Sequence, residues 1–296
     1  MPSQPLSLNI VGCGKLGQTL GHLWQKNQVF RIQNICNTHI ESARKACVFI
    51  GAGRACEQEA LQTADVWLIA TPDEQIAQAC ASIAHANRIH SGNVVFHCSG
   101  ALTSDELVTA QQAGAYTASF HPIMSFAEPE QAAHDFQGTF CGYEGSSSAL
   151  KVLTLAFTRI GAQCFPVSTE HKVLYHTAAV FASNYLTALL EQSLRTYEKA
   201  GIPRNTATEI LRPIMTQTLS AALDQGTHQA LTGPIQRGDV ETVAKQIEAC
   251  QQWDPSAADL YRILGHLTVS LAKQRQDLDP TLLTEISACL NSKTTG

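Results

Sequence analysis

The stretch NIVGCGKLGQTLGHLW, residues 9–24, sets the tightest limit on what this chain can fold into. An apolar run leads into Gly12, Gly14 and Gly17 at G-x-G-x-x-G spacing, and a helical pattern follows. The order implied is strand, tight turn, helix. In such a loop the first glycine permits the turn and the second lets a pyrophosphate approach the backbone. The third lets the helix pack closely on the strand, and the helix N-terminus faces the anion. Lys15 and Leu16, inside the loop, are expected beside the same ligand. A dinucleotide-binding α/β domain is therefore the first expectation.

The rest of the first half agrees with it. LSLNIVG, IQNICN, ADVWLIATP, NVVFHCSG, AYTASFHP, GTFCGYEG and GAQCFPV are β-rich runs separated by helical patterns or short crossovers. Seven or eight such strands imply a doubly wound sheet. After Pro166 the strand signals vanish. Helical patterns take over at 169–201, 206–225, 240–251 and 257–277, with a short tail to 290. The expected organisation is a Rossmann-like NAD(P)-binding domain over 1–166 and an all-α domain over 167–296.

Composition excludes several classes. With 44% hydrophobic and 15% charged residues the chain can bury a core, which sets disorder aside. A net charge of -5 gives no footprint for nucleic acid or an anionic membrane surface. The N-terminal MPSQPLSLNIVGCG lacks the basic start and long apolar run of a signal peptide, and no segment approaches about 20 unbroken apolar residues. A cytoplasmic protein is expected. The ten cysteines are scattered through apolar runs without metal-ligand or redox spacing, so they read as reduced thiols and no metal is expected.

The second strand ends at Asn37, where an NAD enzyme would often carry Asp or Glu for the ribose hydroxyls. Neither Asn37 nor Thr38 is acidic, and Arg44 follows on the next helix. This favours NADP(H) over NAD(H), although Glu41 and Arg44 also read as a solvated helix face. Thr71 and Pro72, in IATPDEQIAQ, and Ser99, in FHCSGALTSDEL, fall at the carboxyl ends of strands, where open α/β sheets bind ligands. They are candidates for the wall of the nicotinamide and substrate site, with plain turn chemistry as the alternative.

The glycine loop, TPD, HCSGA, SFHPIMSF, HKVLYHTAAVFASNY and LTGPIQRGD together resemble a family of two-domain bacterial proteins, a Rossmann-like domain followed by the helical domain DUF2520. The resemblance runs from about Leu8 to Leu267. It implies a C-terminal fold like that of 6-phosphogluconate dehydrogenase-like reductases, which include ketopantoate and pyrroline-5-carboxylate reductases. Some members resemble an alternative ketopantoate reductase of pantothenate synthesis. In these relatives the first helix after the nucleotide domain supplies a lysine and an asparagine to the substrate pocket, commonly one turn apart. Here His176 stands one turn after Lys172, and the asparagine is Asn184.

On an ideal helix His176 lies roughly 40° from Lys172, Ser183 roughly 20° and Asn184 roughly 120°. A carbonyl receiving a hydride develops alkoxide charge and needs a cation or donor and a proton source. Lys172 or His176 can supply the proton, and Asn184 can orient a carbonyl or carboxylate. His121 of FHPIMSF can reach the same cleft from a strand end, and Ser183 can bind substrate. In LTGPIQRGD, Arg237 suits a substrate carboxylate and Asp239 suits a helix cap; Tyr261 reads as packing.

The leading expectation is an NADP(H)-dependent reductase of a small carbonyl acid, possibly ketopantoate. An imine reductase of the pyrroline-5-carboxylate type is the second, with Lys172 arguing mildly against it. A dinucleotide sensor without catalysis is the third. The long apolar helices also imply a homodimer through the helical domain.

Overall fold

The computed structural model describes residues 4–275 and 279–292. Contacts divide the chain into two compact units, residues 1–184 and 185–296.

In the first unit the strands are β1 (Ser7–Val11), β2 (Arg31–Cys36), β3 (Arg54–Ala55), β4 (Val66–Ile69), β5 (Val94–His97), β6 (Tyr116–Pro122), β7 (Phe140–Gly145) and β8 (Gln163–Pro166). They form one sheet in the order β3-β2-β1-β4-β5-β6-β7-β8. All neighbours are parallel except β6 and β7, which are antiparallel. The order reverses beside β1, between β2 and β4, so the crevice of a doubly wound sheet opens there.

Period-two alternation builds a core on each face. Leu8, Ile10, Leu68 and Phe96 point to one side with Trp24, Phe120 and Phe157. Val11, Trp67, Ile69 and Val95 point to the other with Ile76, Cys80 and Leu107. Helices α1 (Lys15–Lys26), α2 (Ile40–Ile50), α3 (Ile76–His85), α4 (Val108–Gln112), α5 (Pro129–His134), α6 (Ser147–Arg159) and α7 (Lys172–Val180) complete this unit. The ten cysteines are free thiols, most of them buried.

The sequence predicts one helix over 169–201. It begins at Lys172, and residues Phe181–Tyr185 form a π-helical turn before α8 (Leu186–Lys199). An i→i+5 turn advances less angle per residue than an α-turn, so angles counted from Lys172 at an even 100° fail beyond Val180. Taken together, Lys172–Lys199 is 28 residues long with a mean hydropathy of 1.2 in its most apolar window, enough by length and composition to cross a membrane. The expectation drawn from sequence concerned about 20 unbroken apolar residues, and this helix holds no such run. Ser183, Asn184 and Thr187 interrupt it, and Lys172 is buried within the first unit.

The second unit holds α8, α9 (Arg204–Gln225), α10 (Thr227–Ala230), α11 (Val240–Trp253), α12 (Pro255–Ala272) and α13 (Pro280–Asn291). Val243, Ile247, Val269, Leu283, Ile286 and Leu290 form its main core. A smaller cluster joins Leu194 to Ala207 and Leu211. Along α9, Ile210, Ile214, Leu219 and Leu223 remain exposed.

Candidate active site

Each glycine of the loop has a distinct steric duty. Gly12 has φ +79°, and a Cβ on it would lie 2.6 Å from the backbone nitrogen of Thr71. Gly14 has nothing within 4 Å of a would-be Cβ, which leaves the backbone open to a ligand. A Cβ on Gly17 would lie 3.3–3.6 Å from Cys13, Ile10 and Ala70, at the contact of α1 with the sheet. No side chain caps α1 and no acid lies in its first turn, so its N-terminal field is uncompensated.

A cleft of about 540 Å³ opens at this loop. Gly12, Gly14, Lys15, Leu16, Asn37, Thr38, Thr71, Pro72 and Ser99, all singled out from sequence, line it; Gly17 packs behind. The hydroxyl of Thr71 is buried with no partner among the described residues, a group a bound ligand would satisfy. A dinucleotide therefore fits these walls. A second cavity of about 430 Å³ lies beyond Asn37 and Thr38, with Ile40, Glu57, Gln78 and Ser82 in its walls.

Two residues behave differently from expectation. Asn37 is turned inward, where its Oδ1 accepts from the Cys13 N–H at 2.5 Å and its Nδ2 donates to the Cys13 carbonyl at 3.4 Å. It braces the glycine loop from the neighbouring strand. Arg44 lines neither cavity but pairs with Glu41 three residues earlier on an exposed face of α2. His39 and Ser42, which the sequence reading passed over, line the cleft instead. Their signal was positional, because a strand-end side chain and the first turn of the next helix face the crevice together.

Where β5 ends, the chain turns beneath a set of buried polar groups. The Ser99 hydroxyl donates to Asp73 at 2.7 Å and accepts from the Ala101 and Leu102 N–H groups. His97 Nδ1 accepts from the Ser99 N–H at 3.1 Å, so its proton sits on Nε2, which donates to the Thr103 carbonyl at 2.9 Å. Burial brings its pKa down to about 4. The imidazole here is a neutral brace for the turn.

Lys172 is only 2% exposed, and its ammonium donates to Glu144 Oε1 at 2.8 Å. Glu144, on β7, also accepts from the Ser104 N–H and hydroxyl, both at 2.8 Å. Burial lowers the lysine pKa while Glu144 opposes the shift. An ammonium has three donors and Glu144 takes one, which leaves N–H capacity for a ligand. Lys172 is also near enough to Asp73, which lines the cleft, to feel its charge.

His121 and His176 converge on Gly100, their rings 5.5 Å apart. A Cβ on Gly100 would collide with His176 Nδ1 and lie 2.8 Å from His121 Nε2. His121 Nδ1 is 2.8 Å from the Tyr175 hydroxyl, and His176 Nδ1 is buried without a partner among the described residues. Burial, then His176 and Lys172, push the His121 pKa down to about 4.

The structure thus gathers Ser99, His121, Lys172 and His176 and adds Glu144, Tyr175 and Gly100, which sequence reasoning missed. Ser183 and Asn184 fall in the π-turn and are exposed, so the even stripe running from Lys172 through Ser183 does not form. Arg237 belongs to the second unit and is exposed. Asp239 caps α11 through the Thr242 N–H and hydroxyl, and Tyr261 donates to Gln246.

Comparison with known proteins agrees with this architecture. Residues 2–122 match the model of Rossmann-like domains, and residues 139–268 match DUF2520, a domain of unknown function. No curated protein matches the chain. Among solved structures it is similar to protein TM1727 from Thermotoga maritima, at 25% identity and a TM-score of 0.72, covering 90% of this chain and 98% of that one. It also resembles a candidate NADP oxidoreductase, BF3122 from Bacteroides fragilis, at 18% identity and a TM-score of 0.73, over 91% and 99% of the two chains. An imine reductase from Myxococcus stipitatus in complex with NADP+ shares the fold at 14% identity and a TM-score of 0.65, over 95% and 99%.

Removing one partner of a buried ion pair strands the other charge, at a cost of about 3–5 kcal/mol. Glu144→Gln should lower the urea midpoint accordingly, and adding Lys172→Met to it should recover part of the loss. A double variant no more stable than the single one would contradict the pairing. His97 and His121 titrate near 4 when folded and near 6.5 when unfolded, so the unfolded chain binds more protons between those values. Stability should therefore fall as pH drops from 6.5 to 4, and a thermal midpoint flat across that window would refute it.

Proposed function

We propose that this chain, built as a Rossmann-like domain followed by a DUF2520 domain, is an NADP(H)-dependent oxidoreductase that reduces a small carbonyl acid. Ketopantoate, giving pantoate, is the first substrate to try. The observation that carries this reading is the buried Lys172, paired with Glu144 and within the electrostatic reach of Asp73 in the cleft wall.

When bound, the nicotinamide cofactor supplies the hydride. Gly12, Gly14 and the first turn of α1 are the groups that would hold its pyrophosphate. Thr38, His39 and Ser42 are the donors this chain offers a 2′-phosphate, and no carboxylate stands at Asn37 or Thr38 to exclude one. Charge developing on the substrate oxygen would be met by an N–H of Lys172, and the lysine would then release its proton to that oxygen. Burial weakens its hold on the proton, which suits a donor working near neutral pH. Glu144 would hold the Lys172 nitrogen in place before and after the transfer.

Glu144 also bears on imine reduction. It compensates Lys172, so the pair is neutral overall and would not repel a protonated iminium as a lone lysine would. Purified protein with NADPH should oxidise it in the presence of ketopantoate or a related 2-keto acid, and Lys172→Met should lower kcat by about 10²-fold or more with cofactor binding retained. Turnover confined to cyclic imines would replace the carbonyl reading. Absence of any turnover, with NADPH still bound, would favour the sensor.

We further propose that a second copy of the chain covers the exposed apolar residues of α9, and that the ten unpaired thiols belong to a reducing, cytoplasmic setting. Light scattering should report a particle of twice the 32.0 kDa chain mass; a monomer at micromolar concentration would overturn the pairing.

A further inference from the structure

We infer that Tyr175 is a positioning residue that fixes His121 as the neutral tautomer with its proton on Nε2, so that His121 offers an N–H donor to the oxygen of the substrate carbonyl. The inference rests on the carbonyl-reductase reading for the identity of the acceptor, and on geometry alone for the tautomer.

The tautomer follows from the 2.8 Å contact between the Tyr175 hydroxyl and His121 Nδ1. A phenol is a better donor than a neutral imidazole, and an imidazole nitrogen is a better acceptor than a phenol oxygen, so the O–H donates to Nδ1. The same phenol oxygen lies against Gly142, on β7. A Cβ at Gly142 would lie 2.5 Å from that oxygen, so only glycine lets the hydroxyl come this close to the strand. The hydrogen bond therefore runs from the Tyr175 hydroxyl to His121 Nδ1. Nε2 carries the proton.

That nitrogen is the free edge of the ring. Among the described residues it has no hydrogen-bond partner, and it faces Gly100, which follows the cleft-lining Ser99 and has no side chain to cover it. His176 and Lys172 both disfavour a second proton on His121, and Asp73 favours one; burial outweighs Asp73 and leaves the ring neutral at physiological pH. A neutral imidazole N–H can polarise a carbonyl without trapping the alkoxide as an ion pair. In the reduction the hydride brings two electrons to the carbonyl carbon, and the π pair moves onto oxygen. The proton comes from Lys172, and His121 gives up none.

The full-length protein labelled with ¹⁵N-histidine tests the tautomer without any substrate. The expected spectrum shows His121 with a protonated Nε2 and a bare Nδ1 at pH 7. Tyr175→Phe should shift that signal toward a mixture of the two tautomers, and should lower kcat by about tenfold or more with the KM for NADPH unchanged. His121→Gln, whose amide N–H stands near the place of Nε2, should keep more activity than His121→Ala and should no longer respond to Tyr175→Phe. A bare Nε2 in the parent protein, or a tautomer untouched by Tyr175→Phe, overturns the assignment. If no carbonyl substrate is reduced while the Nε2–H signal is present, the substrate reading has failed and the Tyr175–His121 arrangement stands.

Discussion

The ion pair between Lys172 and Glu144 is the contact on which the candidate site depends. It joins β7 to the opening turn of α7, and through Ser104 it also fixes the segment after β5. Two opposite charges out of water are expensive unless each finds its partner and its hydrogen bonds. Glu144 meets that condition with three donors. The register of α7 against the sheet is thereby set, which is what brings Tyr175 and His176, one turn further along, over His121 and Gly100. A hydrophobic contact of the same size would hold the helix but would specify its rotation less sharply, because it has no direction.

Much of the first unit was legible in the sequence because its signals are local. Alternating apolar residues mark the strands, and the three glycines of the loop announce three steric demands that the fold then meets. The walls of the cleft followed from the rule that ligands lie at strand carboxyl ends. Beyond such local signals, spacing failed. Glu144 is 28 residues from Lys172, and Tyr175 is 54 from His121; no periodicity connects them. Arg44 takes the other course its sequence allowed, a solvated pair with Glu41 three residues away.

The helix that begins at Lys172 shows how composition and packing report different things. Strand character ends after Pro166, whereas contacts keep residues up to Asn184 with the sheet. Secondary-structure signals register what a segment is made of. Burial registers what it touches. The π-turn at Phe181–Tyr185 adds a further departure that no helical wheel anticipates, because a wheel assumes an even pitch and a single wide turn changes the facing of every residue after it.

Gly100 and Gly142 lend the site its shape by what they lack. The space a Cβ would take is already filled, by two imidazole edges at one position and a phenol oxygen at the other. Neither glycine needs an unusual backbone angle, so a survey of backbone strain would pass over both. Substrate range is therefore hard to widen by trading these positions for larger ones. Enlarging either moves a functional side chain before it reshapes the pocket, and directed evolution of this scaffold has more room in the cleft walls than at its two smallest residues.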